Sequence, residues 1–342
     1  MTRWRARTLA SLLPAFIGPP ALGAPKTDVV VLANGDRITG EVRQLERGKL
    51  QLNTDDLGTI EIEWDKIASV TAAAPFDVDD VDGNRYLGSL APGGPGQLRI
   101  RWGDSEATVD RLSVVRIRRL ETSFWRRLDG SIDAGASYAS ASELFTLDVA
   151  GSVGFERPGY EVGLDGNTTL STQPGAEETR RANLSFGYAR RFENRWVALL
   201  QAKLEQNREL GFDLRSAGSG GGGRYLARSL KDRLLAGLGL SVNREKPVEG
   251  ETTTNVEAMA LLSYDRFSHD FPKVDVSVVA AGFASLSEGG RYRFDLSAQL
   301  RRELVKDFYV SLRGYESYDS RPATEGAESN DYGGTFAFGW SF

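Results

Sequence analysis

The chain has 342 residues, 40% hydrophobic and 26% charged, with a formal net charge of −5, a single histidine and no cysteine. At roughly 100–200 residues per domain there is room for two units. The composition excludes disulfides and a His/Cys metal centre, and the acidic balance argues against nucleic acid as a partner. Beyond the N-terminus no apolar run is long enough for a membrane-spanning helix.

Residues 1–24 read as a signal peptide. Arg3, Arg5 and Arg7 precede a short apolar core from Leu9 to Ile17, and the small residues Ala21, Gly23 and Ala24 follow. Cleavage after Gly23 or Ala24 is expected, and with it export from the cytoplasm.

Residues 25–73 and 74–120 form an internal repeat. Asn34-Gly35-Asp36 to Val42 aligns with Asp82-Gly83-Asn84 to Leu90, and Gly48 to Leu52 aligns with Gly96 to Ile100. A third match sets Asp65–Val70 against Asp110–Val115, three residues earlier in the second copy. In each copy an Asn-Gly or Asp-Gly turn joins two alternating strands and a second hairpin follows, giving about four or five short strands. Two such units packed together are more stable than either alone. The pattern resembles Sm-like and SH3-like small barrels. The acidic first copy and the export signal favour a periplasmic docking module over an RNA binder. Arg116, Arg118, Arg119, Arg126 and Arg127 are read as solvated, with anionic lipid headgroups as the alternative.

From Leu128 to Phe342 the texture changes to segments of about ten or more alternating residues, separated by turn residues. Twelve can be counted, beginning with Ile132, Ala134, Ala136 and Tyr138. One face of each is apolar. The other carries the charges, among them Asp133, Asp148, Glu161, Asp165, Lys203, Glu205, Arg215, Arg233, Glu257, Asp275, Arg293, Asp295, Arg301 and Arg313. A charge on a lipid-facing position near the midplane costs about 2–4 kcal/mol, so this segregation predicts a 12-stranded antiparallel transmembrane β-barrel with a charged lumen. The final segment places Tyr332, Phe336, Phe338, Trp340 and Phe342 on one face and resembles the C-terminal signal strand of bacterial outer-membrane proteins. On that reading it is an assembly signal, and it pairs with Ser131–Tyr138 to close the wall.

If the last strand ends in the periplasm, the connections at 156–159, 192–195, 226–231, 267–273 and 303–307 lie on the periplasmic side. The longer polar connections (171–178, 245–252 and 319–331) then lie outside. Tyr138, Tyr292, Tyr315 and Tyr332 form an outer aromatic girdle; Trp125, Phe155, Tyr160, Trp196, Tyr264, Phe308 and Trp340 form an inner one. The acidic outer loops, including Glu177, Glu178, Glu249, Glu325 and Glu328, are read as solvated surface, with cation bridges to lipopolysaccharide phosphates as the alternative. Expected partners are outer-membrane lipid and lipopolysaccharide, the barrel assembly machinery and a periplasmic protein on the module.

The DGSIDAGAS strand, the Tyr- and Gly-rich hairpins and the terminal FGWSF resemble an uncharacterised bacterial family described as salt-induced outer membrane proteins. The resemblance covers Leu128 to Phe342 and implies an outer-membrane barrel but no chemistry.

Catalysis has little to work with. His269, in Ser268-His269-Asp270, is the one available imidazole and reads as a turn residue. No catalytic residue, metal or cofactor is expected. The Gly-rich run 218–223 is followed by no Lys-Ser/Thr, so it is no phosphate loop; it marks a weak or sharply curved point in the wall. The expected function is that of an envelope structural, stress-related or docking protein. A narrow channel is the alternative, and an outer-membrane lipid hydrolase is a distant third.

Overall fold

The computed structural model describes residues 26–121, 123–175, 179–207, 212–248, 250–321 and 329–340. The expected signal peptide, Phe342, and Glu177, Glu178, Glu249, Glu325 and Glu328 lie outside them. The described residues are all-β, with three single-turn 3-10 helices and no helix long and apolar enough to cross a membrane.

The N-terminal module contains β1 (Asp28–Leu32), β2 (Arg37–Glu46), β3 (Lys49–Asn53), β4 (Thr59–Glu63), β5 (Ile67–Asp80), β6 (Arg85–Pro92), β7 (Gln97–Trp102), β8 (Ser105–Asp110) and β9 (Val114–Arg119). Four strands close a small barrel: β1 pairs β2, β2 pairs β9, β9 pairs β5 and β5 pairs β1. The hairpin β3–β4 extends from β2, and β6–β7–β8 extends from β5. β5 runs through the expected junction at 73/74. Its first half ends one copy and its second half begins the other. Alternation turns Val30, Val42, Leu50, Leu52, Ile67, Phe76, Leu90, Leu98, Ile100, Val114 and Ile117 into one shared core, so neither copy buries its apolar face alone.

The third sequence match needs correction. A 3-10 turn, 64–66 in one copy and 111–113 in the other, precedes the strands that begin at Ile67 and Val114. Trp64 is therefore equivalent to Arg111, and the second copy runs one residue earlier there, not three. Burial gives the reason. Ile67 and Val114 are fully enclosed, whereas Leu112, which the match placed opposite Ile67, is 49% exposed. The equivalent pair also joins the copies. Trp64 Nε1 donates to the Arg111 carbonyl at 2.8 Å, the Arg111 guanidinium donates back to the Trp64 carbonyl, and it lies over the indole ring. Burial pulls the Arg111 guanidinium below its usual range, and these contacts replace the water it has lost.

The remainder is one antiparallel sheet of twelve strands in chain order: β10 (Leu128–Ala139), β11 (Leu144–Arg157), β12 (Tyr160–Thr172), β13 (Thr179–Arg191), β14 (Trp196–Asn207), β15 (Phe212–Arg228), β16 (Asp232–Pro247), β17 (Thr253–Ser268), β18 (Val274–Ser285), β19 (Tyr292–Val305), β20 (Phe308–Asp319) and β21 (Asn330–Trp340). Register keeps one chemistry on each face. A single outer row runs Phe155, Val162, Tyr188, Leu200, Gly220, Leu240, Ala258, Ala284, Tyr292 across nine strands.

The expected closure is not seen. β10 pairs only β11 and β21 only β20, so the sheet curls without joining its ends. Tyr315 is also corrected. It shares the face of Arg313, not that of Leu312, and its ring occupies the space a side chain at Gly333 would need.

β15 and β16 approach each other closely. There the inner face carries glycine on both strands, with Gly221 opposite Gly239 and Gly223 opposite Gly237. A Cβ at Gly221 would lie 2.3 Å from the Leu238 carbonyl oxygen, and one at Gly239 would lie 2.4 Å from that of Gly220. Only hydrogen fits on the inside of so tight a bend. Gly218 has nothing within 4 Å of such an atom. Gly221→Ala or Gly239→Ala is therefore expected to destabilise the sheet by about 1–3 kcal/mol, as overpacking does. Gly218→Ala should be neutral. Thermal unfolding of the three variants in detergent checks this, and equal melting temperatures would refute the bend.

Candidate functional site

The face of the sheet inside the curl, and the end of it that meets the module, hold the polar chemistry. All fourteen charges expected in the lumen lie on that inner face by register. Several meet. Lys203 pairs with Glu205 at 3.1 Å and Arg215 with Glu245 at 3.0 Å. Reaching across β18, Arg293 grips Glu257 with two bonds of 2.8 and 2.7 Å. Asn243 and Asn255 donate to the same carboxylate, which is only 1% exposed. The Arg293 guanidinium also covers the Phe283 ring at 4.6 Å. Asp148 and Asp295 accept from Thr169 and Ser317, and Arg301 lies over Tyr309. The acids of β10 to β12 and the bases of β19 and β20 do not pair with one another. The open edge keeps them apart, and Arg293 is held by Glu257 instead. Asp133, Asp165 and Arg313 join none of these clusters.

The module sits on the end of the sheet formed by the 158–159, 192–195, 229–231, 269–273 and 306–307 connections, the set expected to be periplasmic. Its β2–β3 turn enters the curl. The Arg47 carbonyl accepts from His269 Nε2 at 2.7 Å, and the Arg47 guanidinium pairs with Asp275 at 2.7 Å and covers Phe267. Glu46 pairs with Arg233 at 2.9 Å and Lys66 with Asp270 at 3.1 Å. The apolar contact is Leu230, which packs against the module core. On the opposite side the predicted Asp82-Gly83 turn docks. Asp82 pairs with Arg195 at 2.9 Å, and a Cβ on Gly83 would lie 2.4 Å from the Arg195 nitrogen.

Between these contacts lies a buried charge cluster. Asp77 and Asp79 of β5 are 1% and 4% exposed. Arg228 reaches Asp79 at 3.1 Å, Arg191 lies within 4.0 Å of both acids, and Arg116 bridges them to Glu156. Arg118 meets Glu156 at 2.5 Å, and Arg119 pairs with Asp28 at 2.9 Å. These arginines are thus interface and core residues rather than a solvated or lipid-facing patch. Burial first, and the nearby Arg191 second, pull the Arg116 guanidinium below its usual range.

His269 is engaged in seating the module. Its ring stacks on Phe267 and its Nε2 hydrogen is given to Arg47, while Ser268 Oγ turns to the Asp270 carbonyl. Among the described residues no group of three His, Asp or Glu side chains is arranged to hold a metal ion.

Two features escaped sequence reasoning. One is the Asp77–Asp79–Arg191–Arg228 cluster, in which the Arg228–Asp79 bond joins residues 149 positions apart. The other is an apolar band on the inner face, made by Leu199, Leu235, Met259, Leu261, Val279 and Phe283. Its signal was available in the unbroken apolar runs VALL, LLAGLGL, AMALL and VVAAGF.

Fold and site together define a class: an all-β protein in which a twelve-stranded antiparallel sheet curls around a polar interior and a duplicated β module is seated on one end. Residues 132–342 match the family described as Protein of unknown function, DUF481, over more than half of the chain, and the chain belongs to that family. No match is found among curated proteins.

The buried cluster and the exposed pairs should respond differently to mutation. Asp79→Ala leaves Arg116, Arg191 and Arg228 short of a counter-charge, an expected loss of about 3–5 kcal/mol. Limited proteolysis between module and sheet should then accelerate sharply, and far less for Lys66→Ala. The Lys66 hydrogen bond holds the Asp270 carboxyl below its ordinary value, and Asp270 holds the Lys66 ammonium above its own. That pair contributes fully above the ordinary carboxylate pKa of about 4, and its contribution is lost as pH falls through the lowered Asp270 value. The difference in cleavage rate between wild type and Lys66→Ala should accordingly be constant from about pH 5 to about pH 9 and vanish on further acidification.

Proposed function

We propose that this chain is an outer-membrane β-barrel protein of the bacterial envelope, without catalytic chemistry, whose periplasmic module plugs the near end of the barrel. The observation that carries this reading is the sorting of residues by face and by height. On the outer face charges occur only near strand ends (Arg157, Arg180, Arg190, Arg224, Arg244, Lys246, Arg266, Arg302 and Glu316), whereas the inner face carries them along its length. The cost of a lipid-facing charge falls from about 2–4 kcal/mol at the midplane to about 0–1 kcal/mol near the interfaces, which is the same distribution.

Aromatic rings line both margins. Phe124, Phe155, Tyr160 and Tyr188 form a chain with centroids 5.5 to 6.5 Å apart at the module end, and Tyr292 meets Tyr318 at the other. Rings of this kind favour the headgroup region. On β21, Tyr332, Phe336, Phe338 and Trp340 remain 55–75% exposed on the outer face, as an assembly signal facing lipid requires. In the membrane β10 pairs with β21. Lipid and lipopolysaccharide surround the wall, the barrel assembly machinery inserts it, and the module edges β4 and β8 are left for a periplasmic partner. The module as a whole is read as a small barrel of the Sm-like or SH3-like kind, supported by the closed ring of β1, β2, β9 and β5 drawn from both copies.

On this reading the Arg47 turn plugs the near mouth of the lumen, and the Glu257–Arg293 contact projects from the wall of β17 to β19 further in. Cell fractionation should recover the protein with the outer membrane, in a form whose gel mobility changes on heating. Planar bilayers should show no conductance for the wild type and discrete steps for an Arg47→Glu/Arg293→Ala double variant. A soluble protein recovered without detergent would sink the membrane reading, and steady wild-type conductance would sink the plug.

A further inference from the structure

The inner face holds an open-sided cavity of about 490 Å³, bordered by residues of β13 to β19. We propose that it is a binding site for an uncharged, mainly apolar small molecule carrying one or two hydrogen-bonding groups. A lumen that held only water would favour polar walls, yet here Leu199, Leu235, Met259, Leu261, Val279 and Phe283 face inward together. Val279 is 37% exposed although it points into the curl. Apolar surface left open to water forgoes about 25 cal/mol per Å². An apolar guest seated on such side chains releases the water that covers them. The volume falls within the roughly 300–1,000 Å³ of small-molecule sites. The glycines of β15 and β16 bend the wall around this space, and the inserted Arg47 turn makes its contacts at the near rim, with His269, Asp275, Phe267 and Leu230.

The rim decides the charge of the guest. Toward the far end the cavity is bordered by Lys203, Arg215 and Arg293, and each is already matched, by Glu205, Glu245 and Glu257. An anion would face these carboxylates and a cation the guanidiniums; the remaining lining carboxylate, Asp295, accepts from the Ser317 hydroxyl, so either ion would have to compete with a formed contact. The neutral groups Gln201, Ser219, Ser241 and Asn243 also line the wall and offer donors and acceptors without that penalty. The site therefore selects against net charge while rewarding a hydroxyl or carbonyl. This inference rests on the cavity itself and is independent of whether the chain conducts or where it resides.

Because the chain has no cysteine, a single thiol can report on the site. In the otherwise intact protein, Met259→Cys is labelled with a water-soluble maleimide, with and without naphthol, naphthalenesulfonate or naphthylmethylammonium. Naphthol near saturation should slow labelling by about tenfold, by mass action, and the two ions should leave the rate unchanged. Ala150→Cys, on the inner face of β11 outside the cavity, should label at one rate throughout. Adding Leu261→Asn to Met259→Cys should abolish the protection. If Met259→Cys does not fold, Val279→Cys serves as the reporter. Protection by none of the three compounds, by an ion as strongly as by naphthol, or equally at Ala150→Cys would overturn the proposal.

Discussion

The bend between β15 and β16 is the constraint on which the rest of the larger unit depends. Two adjacent strands present glycine to the inside, and backbone approaches backbone where side chains would otherwise stand. A sheet of twelve strands with ordinary side chains there would open more widely, because each Cβ would push against the neighbouring strand. The tight turn of the wall brings β14 and β19 close enough to border one cavity and lets Arg293 reach Glu257 across an intervening strand. Strand-interior glycine is unfavourable by itself. Here the loss is offset by the contacts that curvature permits elsewhere.

Attachment of the module follows a different logic. One apolar residue, Leu230, crosses from the sheet to the module core, while ion pairs ring the junction. Buried ion pairs add little net stability, since desolvation opposes the attraction, but a mismatched arrangement leaves uncompensated charge and is strongly disfavoured. The Asp77–Asp79–Arg116–Arg191–Arg228–Glu156 cluster is thus better at fixing the orientation of the module than at gluing it down. Asp79 faces Arg191 and Arg228 at the ends of two different strands and Arg116 reaches Glu156 at the end of a third, so rotating the module about the sheet axis would break several pairs at once.

The strands were legible because period-two alternation is local: Phe145, Leu147, Val149 and Val153 announce one face of β11 without knowledge of any partner. The repeat was legible for the same reason, through its Asn34-Gly35 and Asp82-Gly83 turns. Where alternation lapses, reading by period loses half the information. In AMALL both faces are apolar, with Met259 and Leu261 inward and Ala258, Ala260 and Leu262 outward, so alternation does not mark the inner residues. The third repeat match failed because identity of type, Asp65 with Asp110, outweighed the burial that makes Ile67 equivalent to Val114. Arg116 and Arg118 looked like a basic surface patch because their carboxylate partners are supplied by β5 and by the Glu156 end of β11, and long-range pairing leaves no trace in spacing. The Gly-rich run was read as a point of curvature from composition alone, since glycine is the residue a close backbone approach demands.

The open edge sharpens the membrane reading rather than weakening it. β10 and β21 each present a row of unpaired backbone donors and acceptors, and their outward side chains, from Ile132 to Trp340, are apolar and exposed. In water such edges invite pairing with other chains. In hydrocarbon every unpaired backbone group costs several kcal/mol, and no open sheet persists there. The two edges run antiparallel across the gap, since the strand count is even and neighbours alternate in direction. They carry the same face chemistry, with Ile132, Ala134 and Ala136 outward on one and Phe336 and Phe338 outward on the other. Closure of β10 on β21 needs no change in which residues face in or out, so the ladder that lipid would enforce is already encoded in the faces the two edge strands present.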